Sequence, residues 1–183
     1  MKKLLLSALV VCAFVFTTNA QEVTFGAKAG LNMANLVGDV EDNSMLIGAH
    51  VGGMVEISFS DKFAVQPELL FSIQGTKDDD ASFNLNYINV PVMAKYFVTE
   101  EISIEAGPQV GLLMSAKYDG EDANDGLSTI DFGLNFGAGY KMESGLNFAL
   151  RYNLGLSNVY DFEGFDDKAA NAVMQVSVGY FFN

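Results

Sequence analysis

The chain has 183 residues, half of them hydrophobic and 18% charged, with 23 Asp and Glu against 10 Lys and Arg and a formal net charge of -13. That apolar content excludes a disordered acidic chain, and a pI near 4.2 excludes the basic face of a nucleic-acid binder. Mean hydropathy is positive at +0.21, yet after residue 20 no strictly apolar run exceeds three residues, so no transmembrane helix of about 20 apolar residues is present there.

Residues 1–20 carry the three parts of a secretory signal. Lys2 and Lys3 form a positive start, Leu4 to Phe16 an apolar stretch broken by Ser7, and Thr18-Asn19-Ala20 a small-residue cleavage site before Gln21. A helix of that apolar length, at about 1.5 Å per residue, is too short for a hydrocarbon core of about 30 Å. Residues 21–183 are therefore expected to form the mature domain, with a charge that falls from -13 to -15 once two lysines leave. Cys12, the only cysteine, lies inside the apolar stretch. Bulky Val11 before it argues against a lipid-bearing cysteine, and the mature chain has no disulfide or thiolate metal site.

Beyond the signal the sequence alternates with period two, which marks strands between two different environments. Eight segments are predicted, at 22–35, 45–59, 63–76, 83–98, 102–116, 127–142, 146–158 and 171–182. In the third, Phe63, Val65, Pro67, Leu69, Phe71 and Ile73 alternate with Ala64, Gln66, Glu68, Leu70, Ser72 and Gln74. In the fourth the apolar phase changes, from Phe83, Leu85 and Tyr87 to Ile88, Val90, Val92 and Ala94. Pro91 lacks a ladder donor, so a bulge between Tyr87 and Pro91 is expected, turning Asn89 and Lys95 inward. Most segments exceed the length usual in soluble sheets and suffice for the 9 to 11 residues of a tilted membrane strand.

Connections at Ser60–Lys62, Thr99–Glu101 and Glu143–Gly145 are tight, whereas Leu36–Ser44, Lys77–Ser82, Lys117–Gly126 and Val159–Ala170 are longer and polar. In an up-and-down arrangement the four longer ones share one rim, the plan of short periplasmic turns and long external loops. That rim gathers acids, among them Asp39, Glu41, Asp42, Asp78, Asp79, Asp80, Asp119, Glu121, Asp122, Asp125, Asp161, Glu163, Asp166 and Asp167. The polar strand face carries Lys28, Lys95, Lys141 and Arg151 against Glu56, Glu68, Glu105 and Asp131, a neutral set.

An eight-stranded antiparallel up-and-down transmembrane barrel follows, because only a closed sheet puts strands in lipid without open edges. Its interior is just wide enough for side chains, so the interior charges should pair. Phe59, Phe63, Tyr140 and Phe148 near the turns, and Phe71, Tyr87 and Phe132 toward the loops, are expected at the interfaces. A lipocalin-like soluble barrel is the alternative, with the two faces exchanged.

Tyr87-Ile88-Asn89-Val90-Pro91-Val92-Met93-Ala94-Lys95-Tyr96-Phe97 resembles the most recognisable motif of the porin-family outer-membrane β-barrel domain. Phe25-Gly26-Ala27-Lys28-Ala29-Gly30-Leu31-Asn32, Gly107-Pro108-Gln109-Val110-Gly111, Asp131-Phe132-Gly133 with Gly137-Ala138-Gly139-Tyr140, and Arg151-Tyr152-Asn153-Leu154-Gly155-Leu156 are similar to the same family. The resemblance implies a small barrel in the outer membrane of a Gram-negative cell, among lipids that include lipopolysaccharide. It also implies that the last strand, Gly179-Tyr180-Phe181-Phe182 before Asn183, is read by the barrel-assembly machinery.

Catalytic chemistry has one candidate base, His50, with Ser44 nearby in sequence. A hydrogen-bonded interior or rim histidine is the simpler reading, and no catalytic residue or cofactor is expected. Asp119-Gly120-Glu121-Asp122-Ala123-Asn124-Asp125-Gly126 is rich in oxygen ligands but lacks EF-hand spacing, so it reads as a solvated acidic loop and no metal site is assigned. The sequence thus supports a structural or surface-interaction role with a filled polar interior. A narrow porin for small solutes, or a lipid-modifying barrel, are the alternatives.

Overall fold

Alternation along each segment becomes a set of long strands in the computed structural model, which describes residues 22–38, 44–78, 81–160 and 169–182. The signal segment and the acids at Asp39, Glu41, Asp42, Asp79, Asp80, Asp161, Glu163, Asp166 and Asp167 lie outside the described residues. The strands are β1 (Glu22–Gly38), β2 (Ser44–Ser60), β3 (Phe63–Asp78), β4 (Ala81–Phe97), β5 (Ile102–Tyr118), the two-residue β6 (Glu121–Asp122), β7 (Ile130–Lys141), β8 (Leu146–Gly155) and β9 (Ala169–Phe182).

Leaving β6 aside, every strand pairs antiparallel with its neighbours in the chain, and β1 pairs with β9 to close the ring. The result is an eight-stranded antiparallel barrel without open edges, the form in which strands tolerate lipid. Polar side chains such as Lys28, Asn32, Glu68, Gln74, Arg151, Asn153 and Gln175 are buried in the lumen. The opposite phase, including Phe25, Leu31, Ile47, Leu69, Leu150 and Val176, is exposed on the outside. This distribution is the reverse of a lipocalin's. Phe59, Phe63, Phe71, Phe132, Tyr140 and Phe148 all lie on the outer surface.

At one rim the turns are short and tied by side chains. Ser60 Oγ accepts from the amides of Lys62 (3.3 Å) and Phe63 (3.2 Å), and Thr99 Oγ1 accepts from Ile102 N at 3.0 Å. The third turn closes with Met142 N donating to Leu146 O at 2.8 Å, with Gly145 at φ 88°.

Three expectations need correction. First, β4 contains no phase change: Leu85, Tyr87, Asn89, Pro91, Met93 and Lys95 are all buried, while Val90, Val92, Ala94 and Tyr96 are exposed. The bulge is on β5, where Asn86 pairs with Ser115 and Tyr87 with Leu113, leaving Met114 extra. The inward set on β5 then passes from the odd Gln109 and Gly111 to Ala116. Second, Tyr87 is not an interfacial aromatic. It joins Leu36, Leu85, Ala116 and Val159 in an apolar cluster inside the loop end of the lumen. Apolar residues there point inward, so an apolar-outward rule misassigns them. Third, β3 and β4 continue pairing to Asp78 and Ala81, so only two residues separate them and the expected second long loop is a short connection.

Candidate functional site in the barrel lumen

Strand pairing carries the interior charges into one level of the barrel. Arg151 on β8 has its guanidinium Nη2 2.7 Å from Glu68 Oε1 on β3 and 2.8 Å from Glu105 Oε2 on β5. Lys28 on β1 lies 3.3 Å from Glu68 Oε2. Lys95 on β4 bridges Glu105 (3.5 Å) and Glu56 on β2 (2.7 Å), and Lys141 on β7 reaches the other Glu56 oxygen at 2.7 Å. Gln66 fills the remaining space, donating to Glu68 Oε1 at 2.6 Å and accepting from Lys95 Nζ at 3.0 Å. Phe181 covers the turn side, with Lys141 Nζ 4.6 Å and Lys95 Nζ 5.8 Å from its ring centre.

Lys28, Glu56, Glu68, Lys95, Glu105 and Arg151 are thus one connected lattice, completed by Lys141. Asp131 does not belong to it. Its carboxyl is buried on β7, has no ion pair among the described residues, and leaves Oδ1 without a hydrogen bond. The period-two pattern puts a residue inside but does not fix its height along the strand, so the sequence grouped Asp131 with charges at another level.

Next to the lattice lies a belt of amides and hydroxyls. His50 Nδ1 is 2.8 Å from Asn32 Oδ1, and Nε2 is 2.9 Å from Ser177 Oγ. Asn32 also accepts from Gln175 Nε2 at 3.0 Å and donates to Ser72 Oγ at 3.0 Å. Ser44, the hydroxyl nearest in sequence, is not the partner; Ser177 and Asn32 were hidden because they lie on other strands. The order serine, histidine, asparagine matches that of a nucleophile, its base and an orienting group. All three are buried, however. The open depression of about 440 Å³ at the turn rim is lined by other residues, including Glu22, Asp61, Glu100 and Glu143. A groove of about 370 Å³ on the lipid-facing wall, beside Phe63, Tyr96, Ile104 and Phe136, does not reach them either. As arranged, the trio orders the core.

The predicted acidic loop at Lys117–Gly126 is a hairpin return. Asp119 (φ 49°) and Gly120 (φ 87°) form its turn, and Glu121 and Asp122 pair with Tyr118 and Lys117. Asn124 Oδ1 accepts from Ala116 N at 2.6 Å. Asp119, Glu121, Asp122 and Asp125 point to solvent, and Asp78 ends β3 at the same rim. Among the described residues no group of three or more His, Cys, Asp or Glu is arranged to hold a metal ion.

The fold is shared with known outer-membrane proteins. The crystal structure of Neisserial surface protein A is similar with a TM-score of 0.59 at 13% identity, over 88% of this chain and 99% of that one. Ail, the attachment invasion locus protein of Yersinia pestis, is similar with a TM-score of 0.53 at 15% identity, again over 88% and 99%. A second Ail structure, in complex with the heparin analogue sucrose octasulfate, gives 0.52 at 16% identity over the same shares. At such identities the likeness speaks for the fold. No curated protein shows significant similarity to the chain. The model of the outer membrane protein beta-barrel domain matches residues 19–161. A closed barrel with an apolar exterior and a polar lumen, matched over most of its length, makes this chain a member of the outer membrane protein beta-barrel domain family, located in the cell outer membrane.

Proposed function

We propose that this barrel is a non-enzymatic surface module, structural and interactive, whose lumen is a plug and not a conduit. The observation that carries the reading is the ion-pair lattice, which spans the barrel between opposite strands, from β3 to β8 through Glu68 and Arg151 and from β2 to β7 through Glu56 and Lys141. The apolar cluster around Leu85 and Tyr87 backs it at the loop end. Eight strands leave little interior beyond what side chains fill. Planar-bilayer recording of the refolded protein tests this: no stable unitary current is expected, and reproducible single-channel steps overturn the plug in favour of a narrow porin. The non-enzymatic part is tested with phospholipid substrates. Hydrolysis by the wild type that disappears in Ser177→Ala would overturn it.

The loop rim supplies the interaction surface. One structural neighbour was crystallised with a heparin analogue, but here Asp119, Glu121, Asp122 and Asp125 are exposed at that end and the chain carries a formal charge of -13. Such a rim repels sulfated polyanions. Its partners are therefore cationic surfaces, or lipopolysaccharide bridged by divalent ions. The barrel-assembly machinery would engage β9, with Tyr180 and Phe182 outward and Phe181 inward.

A further inference from the structure

Among the described residues the lattice accounts for every buried charge except Asp131, and the surroundings of that carboxyl are unlike those of its neighbours. Between the lattice and the apolar cluster, unpartnered polar atoms collect: Asp131 Oδ1, Asn171 Oδ1 and Asn89 Nδ2 are all buried without a hydrogen bond. These residues meet in space. The Asn171 amide is close enough to act on the Asp131 carboxyl, and it donates from Nδ2 to the Tyr87 hydroxyl at 3.4 Å. Side-chain atoms of Asn89, Tyr87 and Asp131 all border Gly111, where a Cβ would lie 2.7, 3.3 and 3.4 Å from them. Buried polar atoms are normally satisfied, so the two free oxygens, one of them on an uncompensated carboxylate, indicate something that accepts electron pairs, while the Asn89 amide nitrogen lacks an acceptor.

We infer that Asp131, Asn171, Tyr87 and Asn89 form a buried binding site for a monovalent metal cation of sodium or potassium size. Asp131 Oδ1 and Asn171 Oδ1 offer free lone pairs, and the Tyr87 oxygen lies 3.4 Å from the amide nitrogen of the same Asn171 side chain. A further oxygen comes from rotating the Asn89 amide, which breaks no hydrogen bond on the nitrogen side. With the Asn89 amide rotated the set is oxygen-only, suiting a hard cation. It holds a single negative charge, which a monovalent ion neutralises, whereas a divalent ion would leave a buried excess of positive charge. The apolar cluster closes the loop side, so the ion enters as the barrel folds.

The site is independent of whether the lumen conducts. The test is refolding into detergent in NaCl, KCl or choline chloride at equal ionic strength, followed by thermal unfolding in the same salt. The expected result is a midpoint higher by roughly 3 °C or more in one metal salt than in choline chloride. The difference should vanish in Asp131→Asn, or in Asn171→Ala if the former does not refold. Equal midpoints in all three salts overturn the site, as does an ion-specific rise that survives both substitutions.

Discussion

Arg151 and Glu68 stand on diametrically opposite strands, β8 and β3, and meet across the lumen at 2.7 Å with both side chains buried. Arg151 also forks to Glu105, with Nε at 3.0 Å and Nη2 at 2.8 Å from the same oxygen. Removing it leaves two carboxylates to share Lys28 and Lys95. Losing one partner of a buried ion pair costs about 3–5 kcal/mol, so Arg151→Ala should lose about that much in urea unfolding of the refolded barrel. Arg151→Lys restores a charge but not a planar fork. Its loss should fall between wild type and Ala.

At the loop end stability comes from packing. Leu85 is fully buried against Leu36, Tyr87, Ala116 and Val159. Leu85→Ala opens a cavity in that cluster and should cost about 2–5 kcal/mol. The same cluster closes the loop end of the lumen, so enhanced ion leak in bilayers should accompany the lost stability.

Alternation made the barrel legible: Phe63, Val65, Leu69 and Phe71 against Gln66, Glu68, Ser72 and Gln74 already separate wall from lumen. Strand order followed from chain order, because tight turns at Ser60 and Thr99 force antiparallel neighbours. Contacts across the lumen were not legible. Whether Glu68 meets Arg151, or His50 meets Ser177, depends on the tilt and stagger of strands distant in sequence, and period two is blind to both. The fourth segment misled for a related reason. Leu85 and Tyr87 are apolar yet inward, and a rule that assigns faces by polarity converts an apolar plug into an imaginary bulge.

The two faces respond in opposite ways to charge. Leu150 on β8 and Val176 on β9 are direct partners on the outer wall. An arginine at the hydrocarbon midplane costs about 2–4 kcal/mol, so Leu150→Arg should lower the stability of the barrel in liposomes by about that amount, read from the urea midpoint. A soluble barrel with the same exposed position would barely respond. A neutral result would contradict the lipid-facing assignment.

Two glycines separate backbone conformation from backbone proximity. Gly120 follows Asp119 in the hairpin turn at φ 87°, and nothing lies within 4 Å of where its Cβ would be. Gly120→Ala therefore strains only its own dihedrals, at about 1–2 kcal/mol. Gly52 on β2 has ordinary dihedrals, but its Cβ would be driven into the Leu69 carbonyl oxygen of β3 and towards Leu70 Cα. Neither atom belongs to a flexible side chain, so Gly52→Ala must push two paired strands apart. Its destabilisation should exceed that of Gly120→Ala in the same urea titration. The Gly120 variant should also refold at the wild-type rate if its turn forms late, while a slowed Gly52 variant would place β2–β3 pairing before the rate-limiting step.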